Sequence, residues 1–162
     1  MSTFNLKNAT LSIVDGSGTP KVCHIKFGDG TLTFEEQKTR EYLMDRGVVD
    51  EVRDGDDVPM NVSFDGRWQY ISSASGATAP TPVEALKKTG PAASWVSTDA
   101  DDCQPYCVDL ILEYDPGACG TEPVETITLP KFRYESLNFD AKNATIAVRG
   151  RCNATEAEIA RA

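Results

Sequence analysis

The chain has 162 residues, 40% of them hydrophobic, enough for one globular unit that buries its own core without staples. A formal net charge of -9 excludes ordinary nucleic-acid binding, which needs clustered Lys and Arg against phosphates. Five cysteines fall well short of a disulfide scaffold, and no apolar run approaches the length of a membrane span.

The opening MSTFNLKNAT lacks a basic stretch followed by an apolar one, so no signal peptide or membrane anchor is expected. The reading is a single soluble domain, 1–162, made in a reducing compartment where free thiols are the default. The sequons at Asn8, Asn61, Asn143 and Asn153 then go unread.

In chain order, Ala9 to Val14 alternates as a strand and Asp15-Gly16-Ser17-Gly18 closes it. Lys21 to Phe27 and Thr31 to Glu36 flank Gly28-Asp29-Gly30, a second hairpin signal. Thr39 to Arg46 is a short helix candidate, with Thr39 as N-cap and Gly47 as its stop. Val58 to Phe64 and Arg67 to Ser72 flank Asp65-Gly66, a two-residue hairpin signature.

A Ser/Ala/Thr/Gly/Pro-rich loop over Ser73 to Thr81 precedes the best-specified helix. Thr81-Pro82-Val83-Glu84 supplies an N-cap, a first-turn proline and a capping-box glutamate, and Gly90-Pro91 ends it. After the acidic Asp99-Ala100-Asp101-Asp102 comes a strand. Tyr106, Val108, Leu110, Leu112 and Tyr114 share one of its faces, and Cys107, Asp109, Ile111 and Glu113 the other. Val124 to Leu129, Phe132 to Phe139 and Ala144 to Cys152 complete the set. The fold class is mainly β: an antiparallel sandwich or partly open barrel, one flanking helix, and a short helix in a long charged loop.

The residues that carry chemistry form no recognisable site. Cys103, Cys107 and Cys119 surround one apolar run, but Pro105 opposes a helix there and CxxC is absent. If Cys107 to Asp115 is a straight strand, it spans about 26 Å at ~3.3 Å per residue. The four further residues to Cys119 retrace at most ~14 Å. The expectation is buried or incidental thiols, with a long-range pair to Cys23 or Cys152 as the alternative.

His24, the single histidine, sits beside Cys23 in a strand, where neighbours point to opposite faces and make no dyad. Gly28-Asp29-Gly30 lacks the spacing of a phosphate loop. The acidic runs Asp54-Gly55-Asp56-Asp57 and Asp99 to Asp102 lack the spacing of a calcium loop and are expected as solvated loops. No catalytic, cofactor-binding or metal-binding residue is assigned.

Four stretches then carry a resemblance. They are KFGDGTLTFEE (from Lys26), REYLMDRG (from Arg40), VPMNVSFDGRW (from Val58) and ITLPKFRYESLNFDAKNATIAVRGRCNAT (Ile127 to Thr155). In this order the chain resembles the bacteriophage tail tube proteins, a superfamily that extends to type VI secretion tubes. The similarity covers most of the chain and does not include the cysteines.

The resemblance implies a structural virion protein, not an enzyme and without cofactor, located in the viral tail and assembled in the host cytoplasm. Homo-hexameric rings would stack into a tail tube, with tape measure, terminator and baseplate proteins as partners and a sheath if the tail contracts. Double-stranded DNA would pass through the lumen without specific binding, during ejection into the host. If each subunit gives about four strands to an inner sheet, six close ~24 strands. At ~4.8 Å spacing and ~40° tilt that is a backbone diameter of roughly 48 Å, wide enough for a duplex inside the side chains. The acidic balance would then serve a repulsive lumen. The segment Glu35 to Asp57 would reach an adjacent ring.

The competing class is a capsid-decoration, baseplate or carbohydrate-binding β-sandwich. Trp68 and Trp95 are its candidate sugar-stacking residues.

Overall fold

The computed structural model describes residues 9–25, 31–67, 80–101, 103–117 and 121–161. Among the described residues ten strands and one α-helix, with a short 3-10 turn at Gly90–Ala92, follow one another: β1 (Ala9–Val14), β2 (Val22–Ile25), β3 (Leu32–Glu35), β4 (Lys38–Asp45), β5 (Val48–Asp57) and β6 (Met60–Arg67) precede α1 (Pro82–Lys87). After it come β7 (Val108–Tyr114), β8 (Glu125–Asp140), β9 (Thr145–Cys152) and β10 (Glu158–Arg161). The strands are antiparallel and form an open barrel with one lone helix, as the alternating sequence implies.

The main sheet runs β2-β1-β7-β8-β9-β6-β3, with β10 added against β8. Although β2 and β3 lie at opposite ends of that order, the sheet curls. Ile25 of β2, Phe64 of β6, and Ile146 and Val148 of β9 meet Pro82, Val83 and Leu86 of α1 around one small apolar pocket. The helix therefore plugs the open side of the curl. Its start follows the sequence: Thr81 Oγ1 accepts from the Glu84 amide at 3.2 Å, and proline opens the first turn. It ends before Gly90-Pro91, at Lys88 in the left-handed conformation (φ 57°).

Period-two alternation decides the core. Val108, Leu110 and Leu112 point inward from β7, a central strand paired with β1 on one side and β8 on the other. They join Leu11, Ile13, Met60, Leu129 and Phe132, all fully buried.

The strand β8 serves both sides of the curl. Up to Phe132 it pairs with β7, and before Pro130 also with β10; from Phe132 onward it pairs with β9. The sequence reads two strands, Val124 to Leu129 and Phe132 to Phe139, because proline removes a ladder donor. The chain instead bends and continues. Lys131 takes φ 53°, its amide donates to Asp109 Oδ1 at 3.0 Å, and its carbonyl accepts from the Asn153 amide at 3.1 Å. A bend of this kind is how one strand passes between two packed sheets.

Other expectations are corrected. Thr39 to Arg46 is not a helix: Lys38–Asp45 is a strand paired with Val48–Asp57. Arg46 and Gly47 both take positive φ (52° and 84°), the twist a two-residue hairpin turn requires, and valine-rich β5 supplies the partner. Asp65-Gly66 is not a turn, because β6 runs through it with Asp65 opposite Ala147 and Gly66 opposite Ile146. An eight-residue ladder to β9 outweighs a two-residue turn preference. The Gly28–Gly30 turn lies outside the described residues, but the strands expected to pair around it do not: β2 pairs β1 and β3 pairs β6. The short strand β10 was not foreseen; only Ile159 among its four residues signals a strand with an apolar face.

The close approach of β8 and β9 depends on Gly150. A Cβ there would lie 2.1 Å from the Arg133 carbonyl oxygen and 2.9 Å from the Phe132 ring. Around Gly18 there is no atom within 4 Å of such a Cβ. Urea denaturation should therefore show Gly150→Ala destabilised by about 1–3 kcal/mol or unable to fold, as overpacking predicts, with Gly18→Ala near wild type.

Candidate assembly surfaces

The titratable residues are arranged as structure rather than as chemistry. Cys23, Cys107 and Cys152 are buried free thiols, and Cys103 is an exposed one; Cys119 lies outside the described residues. Burial, then the nearby Glu84 charge, pushes the Cys23 thiol up to about 11; its sulfur donates to the Pro80 carbonyl at 3.4 Å. Burial, with Asp109 and Cys107 nearby, pushes Cys152 up to about 12. Thiols held protonated in this way are poor nucleophiles. Cys23 faces the core while His24 is exposed, and His24 Nδ1 lies 3.0 Å from Ser12 Oγ across the β1–β2 ladder.

Two acids, Asp99 from a run expected as a solvated loop and Asp15 from the turn after β1, are buried. Asp99 sits under Arg133, whose Nη2 donates to its Oδ2 at 3.1 Å, so this end of the acidic run is an ion pair rather than a solvated loop. The Asp101 amide hydrogen bond and that guanidinium outweigh burial and hold the Asp99 carboxyl below the usual range. Asp54, Asp56 and Asp57 lie within β5 at the hairpin base rather than in a loop, and Asp54 pairs with Arg40. Asp15 is a hub: its carboxylate accepts from the Lys21 amide at 2.7 Å, the Ser17 hydroxyl at 2.8 Å and the Val96 amide at 3.2 Å. It ties the β1–β2 turn to a segment 81 residues away. Trp95, one of the candidate sugar platforms, is 2% exposed and belongs to the core; Trp68 lies outside the described residues.

Three surfaces stand out instead. The first is the β4–β5 hairpin, paired only with itself and exposed along both strands. Its register places Tyr42 opposite Val52 and Met44 opposite Val49, one apolar face whose four side chains are each more than half exposed. An isolated two-stranded hairpin is marginal in water, and such a face marks a contact surface.

The second is where the described ladders end: among the described strands β3 pairs with β6 alone, and the β7–β8 ladder stops at Phe132 while β8 continues along β9. The third is the outer face of β3, β6, β9 and the second half of β8. It carries short polar side chains such as Thr33, Asn61 and Ser63, with Thr33 Oγ1 2.6 Å from Ser63 Oγ. Its charges are mixed: Glu35, Asp65 and Glu135 stand among Arg67, Arg149 and Arg151, with Arg151 Nε 3.7 Å from Glu135.

The open edges and the hairpin were not legible as a site, because each depends on which strands end as neighbours. Among the described residues no helix is long and apolar enough to cross a membrane.

A scan of protein-family models and a search of curated proteins both find no match. Solved structures do share the fold. The chain is similar over 99% of its length to 98% of a chain in the sheath/tube terminator of an extracellular contractile injection system, PVC, in its extended state (12% identity, TM-score 0.58). The extended PVC sheath–tube complex contains a chain similar over 99% of this one and 93% of its own length (12% identity, TM-score 0.57). In the baseplate of the anti-feeding prophage the corresponding values are 99%, 97%, 12% and 0.43.

The Asp15 hub has a pH signature. Burial pushes its carboxyl up, but the hydrogen bonds from Lys21, Ser17 and Val96 outweigh it and leave the pKa below the usual value. A carboxyl lowered on folding contributes stability that is complete above its unfolded pKa and is lost as pH falls through the folded one. Asp15→Asn should lose about 1–3 kcal/mol at pH 7. Urea midpoints taken from pH 7 to 3 should show the gap to wild type narrowing below about pH 4.

Proposed function

We propose that this chain, 1–162, is a single tail-tube-like unit and a structural, non-enzymatic subunit of a phage-type tail. Six copies form a ring, rings stack into a tube, and double-stranded DNA passes through the bore during ejection. Tape measure, terminator and baseplate proteins cap and measure the tube in the virion, with a sheath around it if the tail contracts. The subunits assemble in the host cytoplasm.

The observation that carries this reading is the sheet formed by β3, β6, β9 and the second half of β8. It has four strands; among the described strands β3 pairs with β6 alone, and the β7–β8 ladder goes no farther than Phe132. Four strands per copy is the number that closes a 24-strand wall around a duplex at ordinary spacing and tilt. Edge-to-edge pairing of β3 with the β8 of the next copy is head-to-tail, and a head-to-tail contact that closes makes a ring. The fold shared with tube terminator and sheath–tube structures supports the same reading.

With this sheet as the inner wall, the residues of its outer face would be the ones that meet DNA. The Arg151–Glu135 pair and the Arg133–Asp99 pair neutralise two of the arginines, so no unbroken basic row can grip phosphates. Glu35, Asp65 and Glu135 hold the balance against Arg67, Arg149 and Arg151. The repulsion expected from an acidic lumen is thus a local balance on this face rather than the whole chain's excess.

Negative-stain electron microscopy of the purified protein at high concentration, alone and beside its tail partners, should show rings or tubes with a central bore. A monomer under both conditions contradicts the proposal. In assembled particles, Glu35→Lys with Asp65→Lys should leave tubes intact and slow DNA ejection. Unchanged ejection would remove these acids from the bore.

A further inference from the structure

The β4–β5 hairpin joins the sheet through two short links, Glu36-Gln37 before it and Val58-Pro59 after it. Among the described strands β4 and β5 pair only with each other, so no described ladder fixes the angle between hairpin and sheet. What lies at the hairpin base is the connection between β9 and β10, residues 153–157. The Met60 amide, just past the second link, donates to the Ala154 carbonyl at 3.0 Å. The Ala157 amide donates to Glu36 Oε1, in the first link, at 2.8 Å. Lys38 Nζ lies 3.3 Å from Glu156 Oε1, and Thr155 lines the cleft between the two legs of the hairpin. The connection thus straps both legs at once, and its start is fixed by the Asn153 amide on the Lys131 carbonyl at the β8 bend.

These contacts are unequal. Lys38 and Glu156 are both exposed, and such a pair contributes little. The Glu36 contact is a carboxylate accepting from a backbone amide, the stronger kind of hydrogen bond. Its donor, Ala157, packs partly against the core and immediately precedes β10, so strap, link and strand meet at one residue. The direction of that amide depends on whether β10 lies on β8. This strand is the weakest-held part of the arrangement. It has four exposed residues, a four-residue register with 125–128 of β8, and an Arg161–Glu125 ion pair at 3.8 Å. Short exposed segments of this kind open at far lower free energy than core strands.

We infer that β10 is a latch for the hairpin. Docked on β8, it aims the Ala157 amide at Glu36, and the strap holds the hairpin in one pose. When β10 lifts, the strap loosens and the hairpin swings about its two links while the core stays folded. The coupling is reciprocal: loosening the hairpin base weakens the docking of β10 by the same factor. The device belongs to a single chain and stands whether or not copies form rings.

Both directions are measurable on the full chain at a concentration where it is monomeric. Ile159→Pro with Ala160→Pro removes ladder donors from β10 at two exposed positions. Spin labels on Met44→Cys in the hairpin and Lys87→Cys on α1, both exposed, in a Cys103→Ser, Cys119→Ser background report the hairpin pose. The label-to-label distance should be narrowly distributed with β10 intact and broad in the proline variant, with β7 amides still protected from exchange. In the other direction, Glu36→Ala should speed hydrogen exchange of amides 158–161 about fivefold, the effect of one hydrogen bond. Glu36→Gln, which keeps an acceptor oxygen, should stay near wild type. A distance that is broad already in the intact chain, or that stays narrow in a folded proline variant, overturns the latch. If the proline variant loses its β7 protection, Glu36→Ala decides: unchanged exchange at 158–161 refutes the coupling.

Discussion

The bend of β8 at Pro130–Lys131 is the constraint on which the rest of the structure depends. A straight strand of sixteen residues would belong to one sheet. Here proline interrupts the ladder, Lys131 adopts positive φ, and the Asp109 carboxylate and the Asn153 amide hold the kink from two sides. The first half of the strand is thereby flanked by β7 and β10, while the second half leaves the company of β7 and pairs with β9. That departure sets apart the four-stranded face and leaves Tyr134 and Phe139 partly exposed.

Free edges and exposed apolar faces are hazards for a lone β protein, and natural chains usually blunt them with charge, proline or a covering element. Among its described strands this one pairs β3 on one side only and raises an apolar-faced hairpin on two exposed strands. Its defence against indiscriminate pairing is electrostatic. A net charge of -9 keeps free copies apart, and the unequal distribution of that charge makes one approach less repulsive than the others. In the ring proposed above, such edges and apolar faces would be covered by neighbouring copies.

Local order was readable in the sequence where a short-range signal met no long-range competitor. The alternation of Val108, Leu110 and Leu112 marks a core strand. Thr81 before proline marks a helix start, and Asp15 with its glycines marks a turn that the structure keeps. Elsewhere a nonlocal partner prevailed. Arg40 to Asp45 consists of residues acceptable in a helix, but a valine-rich strand lies across a two-residue turn. Asp65-Gly66 has turn chemistry, but β9 pairs straight through it. The assembly surfaces were less legible still. An edge is a property of the strand order, and Tyr134 and Phe139 lie past the last β7–β8 pair, Val108 with Phe132. The resemblance to tail tube proteins pointed to the architecture without saying which strands stay open.

The central claim, that β3 of one copy pairs with residues 136–140 of the next, is tested most directly by hydrogen exchange on monomeric and assembled protein. The account predicts that backbone amides of Leu32–Glu35 and of residues 136–140 exchange at least ~10-fold more slowly once rings form, as newly paired edge strands do. Amides of β7, already paired on both sides, should change little. Rings that form while both edges exchange as fast as in the monomer would contradict it.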